Sequence, residues 1–480
     1  MTLSTRPLYW LANLTKHPLM VPVCLLAITL IGAFFRLYKL GDWSFWGDEM
    51  FTISREEDGF NYDLFRQSLS LLLIQTVTAL KGITEWNARI VPAIIGILTI
   101  PVLFFLIRKF FDVPTALLAA LLLALSPWHL YWSQNARFYT ALLLFYSLAI
   151  FFFHLGLEQD RPRYLFLCLL FLGLAAKERL LALFFVPVIL VYICLLHLLS
   201  FERPKGWRFR NAAIFIAPGL LGILLFAGPY LRNLSGWMEG FGFANNNPFW
   251  LAGGFAFYVG LPVICLSLLG GAYLILQKSR VGLLLAVNAV LPISLLVIIA
   301  PFHYTANRYA FVSLTSFLIL SAVCVTTLIK RSNWPVNLLG LGTLLISLIT
   351  PLGENVLYYQ YQNGNRDDWK AAFAYVEQHR RPGDVVVSAN RQLAKYYLSE
   401  DSIPFARLSL VDVEGQEHRV WFVEDMASLQ KYPEVHEWLV HKARLVSVHD
   451  VTFQARNFSM RVYIYDPVRG FTRERAEDAE

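Results

Sequence analysis

Long apolar segments broken by short polar punctuation dominate residues 18–351, after which the pattern changes. The apolar segments fall at 18–40, 88–107, 114–130, 138–156, 164–176, 180–200, 212–230, 249–276, 281–301, 309–329 and 335–351. A run of about 18 to 25 apolar residues crosses a hydrocarbon layer about 30 Å thick, so the pattern predicts about eleven membrane helices, of which 164–176 is short for a full span. Between the first two lies a long loop, 41–87, with an amphipathic stretch at 61–80 that predicts one or two helices along the membrane interface. From residue 363 the chain is rich in charge. Helical periodicity at 368–379 and β-like runs at 384–388, 419–423, 445–449 and 460–465 predict a small α/β domain there. The expected architecture is an α-helical polytopic membrane domain over 18–351, with a short leading segment, 1–17, and an α/β domain over 352–480. No repeat and no low-complexity segment interrupts it.

Composition narrows the class. Of 480 residues 56% are hydrophobic and 16% charged, whereas roughly a quarter are charged in a soluble domain. The net charge of +7 therefore points to loop topology rather than to nucleic acid. Arg6 and Lys16 precede the first span, and Arg108 with Lys109, Arg161 with Arg163, residues 203–210, Lys278 with Arg280, and Lys330 with Arg331 fall on every second turn. Basic loops face the cytoplasm, so the N-terminus is expected inside, and loop 41–87 and the α/β domain outside. The first span lacks a small-residue cleavage site and reads as an uncleaved signal anchor. Cys24, Cys168, Cys194, Cys265 and Cys324 all sit in apolar runs and read as small helix-packing residues.

The face opposite the basic loops collects isolated polar groups at the ends of apolar helices. They are Asp48 and Glu49, Arg55, Lys81, Arg89, Asn135 with Arg137 and Tyr139, Lys177 with Glu178, and Arg308 with Tyr309. A charge at a bilayer boundary is costly to desolvate, and one cation alone reads as a helix-end anchor. Together they describe a cation-lined cavity with a carboxylate pair. Arginine suits phosphate, through two parallel hydrogen bonds. A carboxylate suits deprotonation of a hydroxyl or stabilisation of an oxocarbenium-like centre. The combination points to a phosphorylated lipid as leaving group and an alcohol-like acceptor. No His/carboxylate cluster has metal-ligand spacing, so no metal or other cofactor is expected, and no glycine-rich phosphate loop is present.

Four segments carry a resemblance. Trp46-Gly47-Asp48-Glu49 follows the first span and Asn87-Ala88-Arg89-Ile90-Val91-Pro92-Ala93 opens the second. Ser126-Pro127 leads to Ser133-Gln134-Asn135-Ala136-Arg137-Phe138-Tyr139, and Arg308-Tyr309 lies late in the membrane region. In this order they resemble the GT-C superfamily of polyprenyl-phosphate-sugar glycosyltransferases, in the branch of protein O-mannosyltransferases and aminoarabinose transferases. The resemblance implies inverting transfer of a sugar from a polyprenyl-phosphate donor to an extracytoplasmic protein, lipid or glycan, in a bacterial or archaeal plasma membrane. By it Asp48 is the general base and Glu49 positions it or the sugar. Arg137, Arg308 and Lys177 hold the lipid phosphate, and Arg55, Arg89, Tyr139 and Tyr309 line the substrate site. Two departures bear on acceptor and sugar: Asn135 stands where relatives often carry an acid, and residues 66–71 replace a His-Pro-Pro-Leu-Tyr type segment. Some superfamily members use a divalent ion.

Two other classes suit a basic membrane surface. A transporter or flippase of a lipid-linked saccharide needs no base, but is marked by pseudo-symmetric halves and broken helices, which the sequence does not display. A polysaccharide polymerase or ligase shares the donor but places its large loop later in the membrane domain.

Overall fold

The protein is described here by a computed structural model covering residues 19–53, 68–218, 247–331, 333–399, 401–453 and 456–467. Among the described residues seven helices are long and apolar enough to cross a membrane, or up to nine if each of two bent pairs is one span. The chain divides into two compact units. One takes in 1–38, 62–73 and 90–354, the other 39–61, 74–89 and 355–480.

The first unit is a helix bundle. Its long helices include Met20–Leu37, Tyr139–Gln159, Arg280–Ile299 and Leu314–Ile329. Leu314–Ile329 is buried along nearly its whole length, as an apolar helix in the middle of a bundle must be. Gly270 lets Leu261–Leu276 approach it closely, since an added Cβ would lie 2.0 Å from the Leu320 carbonyl oxygen. Polar side chains bridge the helices as they do in membranes. Tyr146 donates to Asn288 at 2.8 Å, Asn288 donates to Ser316 at 2.8 Å, and Thr115 meets Thr326 at 2.8 Å. The basic turns predicted to share one side meet acidic partners: Arg280 pairs with Glu158, Arg208 and Arg210 with Asp160, and Lys330 with Asp112.

The bundle departs from the predicted spans in four places. The segment 114–130 is not one helix: Val113–Leu125 and Pro127–Ser133 meet at 57°, because Pro127 has no N–H to continue the ladder. The segment 249–276 breaks likewise at Gly260, with φ +91°, into helices set at 89°. Broken helices are thus present, against expectation. The short span is a 17-residue helix, Pro162–Glu178. Finally, Trp334–Gln360 runs on through Pro351, where the apolar pattern stops. Most of the span 212–230 lies outside the described residues, as does 54–67 of the loop, where Leu69–Lys81 is helical.

The second unit contains the predicted α/β fold. Strands β1 Val385–Ser388, β2 Ile403–Pro404, β3 Val420–Glu424, β4 Arg444–His449 and β7 Met460–Tyr465 form one sheet in the order β2-β1-β3-β7-β4. β2 and β3 run parallel to β1, and β7 is antiparallel to β3 and β4. Strands β5 Thr452–Phe453 and β6 Arg456–Asn457 make a separate two-stranded ribbon. Val387, Phe405, Val420, Phe422, Leu439 and Tyr463 fill one face of the sheet. Trp369–His379 supplies the predicted helix, capped by the Asp368 carboxylate, which accepts from the Ala371 N–H.

Candidate active site

In the second unit the acidic loop is built around a buried ion pair. The Arg89 guanidinium, fully buried, donates through Nε to Glu49 Oε1 at 2.8 Å and through Nη2 to Glu49 Oε2 at 2.7 Å. Its other donors go to the carbonyls of Leu40 (3.3 Å), Trp43 (2.9 Å) and Ser44 (2.9 Å), so all five N–H groups are accepted within the protein. The Phe45 ring lies 5.2 Å from the guanidinium carbon. Arg366 Nη1 approaches the same carboxylate at 3.4 Å. An arginine fork suits this, because carboxylate and turn carbonyls lie where its rigid donors point.

Asp48 and Glu49 occupy the first turn of the short helix Gly47–Ile53, and successive residues of a helix diverge by about 100°. Glu49 therefore turns inward to Arg89, and Asp48 is left half-buried on another face. The loop before them is tied down at Ser44, whose hydroxyl donates to the Asp367 carbonyl at 2.6 Å, and at Phe45, whose N–H donates to Tyr397 Oη at 2.8 Å. The Asp367 carboxyl is pushed up to about 8 by burial and by the neighbouring Asp425.

In the first unit the helix break at Ser126-Pro127 is stabilised by Arg36, also fully buried. Arg36 Nη1 donates to the carbonyls of Gly32 (2.9 Å) and Ala124 (3.0 Å), and Nη2 to Leu123 (3.0 Å) and to His129 Nδ1 (2.7 Å). Arginine only donates, so His129 Nδ1 is the acceptor and its proton sits on Nε2. Gln134 caps the first long helix, donating to the carbonyls of Phe35, Arg36 and Tyr38. These bonds hold the chain entering Arg137.

Arg137 lies 5.1 Å from the Phe138 ring centre, and Arg179 approaches the same ring at 5.4 Å. Arg308 lies 5.9 Å from the Tyr309 ring, and Tyr139 and Arg179 are within electrostatic reach of the Tyr309 hydroxyl. Tyr139, Arg308 and Tyr309 are thus brought together with Arg179, which shares the Phe138 ring with Arg137. Lys177 is half-buried at the end of Pro162–Glu178, beside Glu178, which turns inward to accept from the Ser70 N–H at 3.1 Å and from its hydroxyl. Arg55 lies outside the described residues. Among the described residues no group of three or more His, Cys, Asp or Glu could hold a metal ion.

Sequence reading missed Arg36, Arg179, Arg366 and Tyr397. For Arg36 the signal was available, a lone arginine inside an apolar run. For Arg366 and Tyr397, more than 300 residues from the loop they touch, no local pattern exists.

Residues 69–230 match the family model described as dolichyl-phosphate-mannose-protein mannosyltransferase. Comparison with curated protein sequences finds no match. Among solved structures the chain is similar to ArnT from Cupriavidus metallidurans in the apo state, at 13% identity and a TM-score of 0.55, covering 94% of this chain and 99% of that one. The same enzyme bound to undecaprenyl phosphate matches at 14% identity and a TM-score of 0.52, over 92% and 97% of the two chains. The archaeal oligosaccharyltransferase AglB from Archaeoglobus fulgidus, in complex with an inhibitory peptide and a dolichol-phosphate, matches at 12% identity and a TM-score of 0.56, over 90% and 73%. The chain shares the fold of these three structures, and the expected resemblance is met by the family model over residues 69–230 and by the fold.

Proposed function

We propose that the protein is a membrane glycosyltransferase that moves a sugar, with inversion, from a polyprenyl-phosphate carrier to an extracytoplasmic acceptor, Asp48 serving as general base. The observation that supports the reading is the fixed loop that carries the two neighbouring carboxylates, held at Ser44, Phe45 and Glu49. Glu49 is committed to Arg89 in a fully buried pair, and Asp48 stands beside it on a braced loop, half-buried.

In the proposed step Asp48 takes the proton of an acceptor hydroxyl as its oxygen attacks the anomeric carbon. The bond from that carbon to the phosphate oxygen breaks, and its electron pair stays on the phosphate. Arg137, Arg308 and Lys177 hold that phosphate and offset its developing charge, and Arg179 shares this work through its place beside Phe138. Tyr139 and Tyr309 line the same region. Arg89, with every donor taken, is better read as a positioning residue than as a substrate ligand. Arg55 keeps its expected substrate-binding role. Polyprenyl phosphates are bound by the ArnT and AglB structures named above, which supports this donor class.

The transporter reading gains the two broken helices, but a base on a braced loop has no part in it. The experiment that separates them supplies purified protein in liposomes with a polyprenyl-phosphate sugar and candidate acceptors. Release of free polyprenyl phosphate with glycosylated acceptor supports transfer; movement of intact donor between leaflets without bond cleavage supports a flippase and overturns the proposal.

A further inference from the structure

Within the second unit, residues 43–49 are touched repeatedly by the stretch that follows the last long helix. Gly364, at φ +63°, packs on Trp43 so closely that an added Cβ would lie 2.8 Å from the ring. The Asp367 carbonyl accepts from the Ser44 hydroxyl at 2.6 Å, and Arg366 reaches Glu49 at 3.4 Å. A Cβ on Gly47 would come within 3.3 Å of the Asn390 amide nitrogen. Tyr397 makes the most specific contact. Its Oη accepts from the Phe45 N–H at 2.8 Å and donates to Glu85 Oε1 at 2.9 Å. Burial first, and then the Glu85 charge, push the Tyr397 phenol up, so it keeps the proton that this bond needs. The preceding residue, Tyr396, packs edge-on against the Phe45 ring at 5.2 Å.

We propose that the α/β domain is a positioning element for the reaction, a clamp in which Tyr397 and Arg366 hold residues 44–49 so that Asp48 is presented to the acceptor. The inference rests on Asp48 being the base. It assigns the domain a part in turnover rather than in binding the donor lipid. The physical reason is that proton transfer needs the base within hydrogen-bond reach, and a displacement of about 1 Å at a reacting group can cost about 10²-fold in rate. The backbone between Ser44 and Glu49 has a fixed point at each end. Tyr397 sets one through a main-chain N–H that would otherwise be buried without an acceptor, and Arg366 with Arg89 sets the other. Tyr397 and Arg366 are positioning residues, acting through the loop and not on the substrate.

The test uses the full-length protein with Tyr397→Phe, which removes one oxygen atom and keeps the ring in place, and Arg366→Ala with Arg366→Lys as the conservative partner. Two quantities are read: steady-state transfer, and hydrogen–deuterium exchange of peptides covering 43–53, with peptides covering β1 and β3 as a control for the fold. For Tyr397→Phe the expected result is a kcat lower by about 10- to 100-fold, a donor KM within about twofold of wild type, and faster exchange confined to 43–53. Arg366→Lys should recover part of the kcat lost in Arg366→Ala. Unchanged kcat and exchange in both Tyr397→Phe and Arg366→Ala would overturn the clamp, and so would a loss of exchange protection spread equally over β1 and β3. The exchange measurement does not depend on transfer. Faster exchange at 43–53 in the variants supports the clamp even where the wild type transfers no sugar from any donor tried, and that second result would count against the proposed reaction instead.

Discussion

Arg89 and Glu49 face each other as a two-bond ion pair, at 2.8 and 2.7 Å, with neither side chain exposed to solvent. A buried pair of this kind adds little against an apolar replacement, but breaking it by removing one partner costs about 3 to 5 kcal/mol. Arg89→Ala is therefore expected to lower stability by about that amount, since Glu49 loses its two-bond partner and three turn carbonyls lose this donor. Arg89→Lys should recover little, because a single ammonium cannot reach both carboxylate oxygens and the carbonyls together. Thermal unfolding of the purified variants checks this, and an Arg89→Ala protein within about 1 kcal/mol of wild type would mean the pair is structurally idle.

The adjacent carboxylate should behave oppositely. Asp48→Asn keeps shape and hydrogen bonding but removes the basic lone pair, so the variant should fold, bind donor lipid and lose about 10²- to 10⁴-fold in turnover. Glu49→Gln should instead show its main effect in stability. Near-normal turnover by Asp48→Asn in a purified assay would remove Asp48 as the base.

The arginines near Phe138 and Tyr309 separate by exposure. Arg137 and Arg308 are half-buried, so replacing either with Ala should cost about 2 to 4 kcal/mol of transition-state stabilisation, or roughly 30- to 1,000-fold in kcat/KM. Lysine should rescue only in part. Arg179 is exposed, and its loss should matter less and should shrink further as salt is raised. Donor titrations at two ionic strengths distinguish these; equal, salt-independent losses at all three positions would contradict the ordering.

Asp367 gives a pH dependence of definite sign. Its carboxyl is pushed up to about 8 in the folded protein by burial and then Asp425, against about 3.9 in an unfolded chain. Between those values the folded state holds a proton that the unfolded state has released, so stability falls as pH rises from about 4 to about 8 and levels off above. Asp367→Asn should flatten this part of the profile and raise stability at alkaline pH relative to wild type. Melting temperatures across that range provide the measurement, and a profile unchanged by the substitution would assign the slope to other groups.

Topology is tested by fusion. With basic loops inside, a reporter active only outside the cytoplasm should be active when attached after Glu480 and silent when placed in the turn near Arg280. The reverse pattern would turn the proposed site to the cytoplasmic face.

The amino-acid sequence by itself determined most of the apolar spans, the change of character after residue 351 and the four main strands, and it marked Trp46-Gly47-Asp48-Glu49 as a candidate site. Each of these is a local property: hydropathy over about 20 residues, alternation over five or six, a charge next to an apolar run. The bends at Pro127 and Gly260 were not predicted, although both residues interrupt a helix by their own chemistry. Only the tertiary structure decided that Glu49 is tied to Arg89. Asp48 and Glu49 are alike in sequence, and it is the arrival of Arg89 and Arg366, 40 and 317 residues away, that fixes Glu49 inward. The same holds for Arg36 with His129 and for Tyr397 with Phe45, where the partner of a buried polar group comes from a distant part of the chain. A buried donor needs an acceptor but does not specify where in the sequence it lies, so chemistry of this kind becomes readable only once packing has chosen the neighbours.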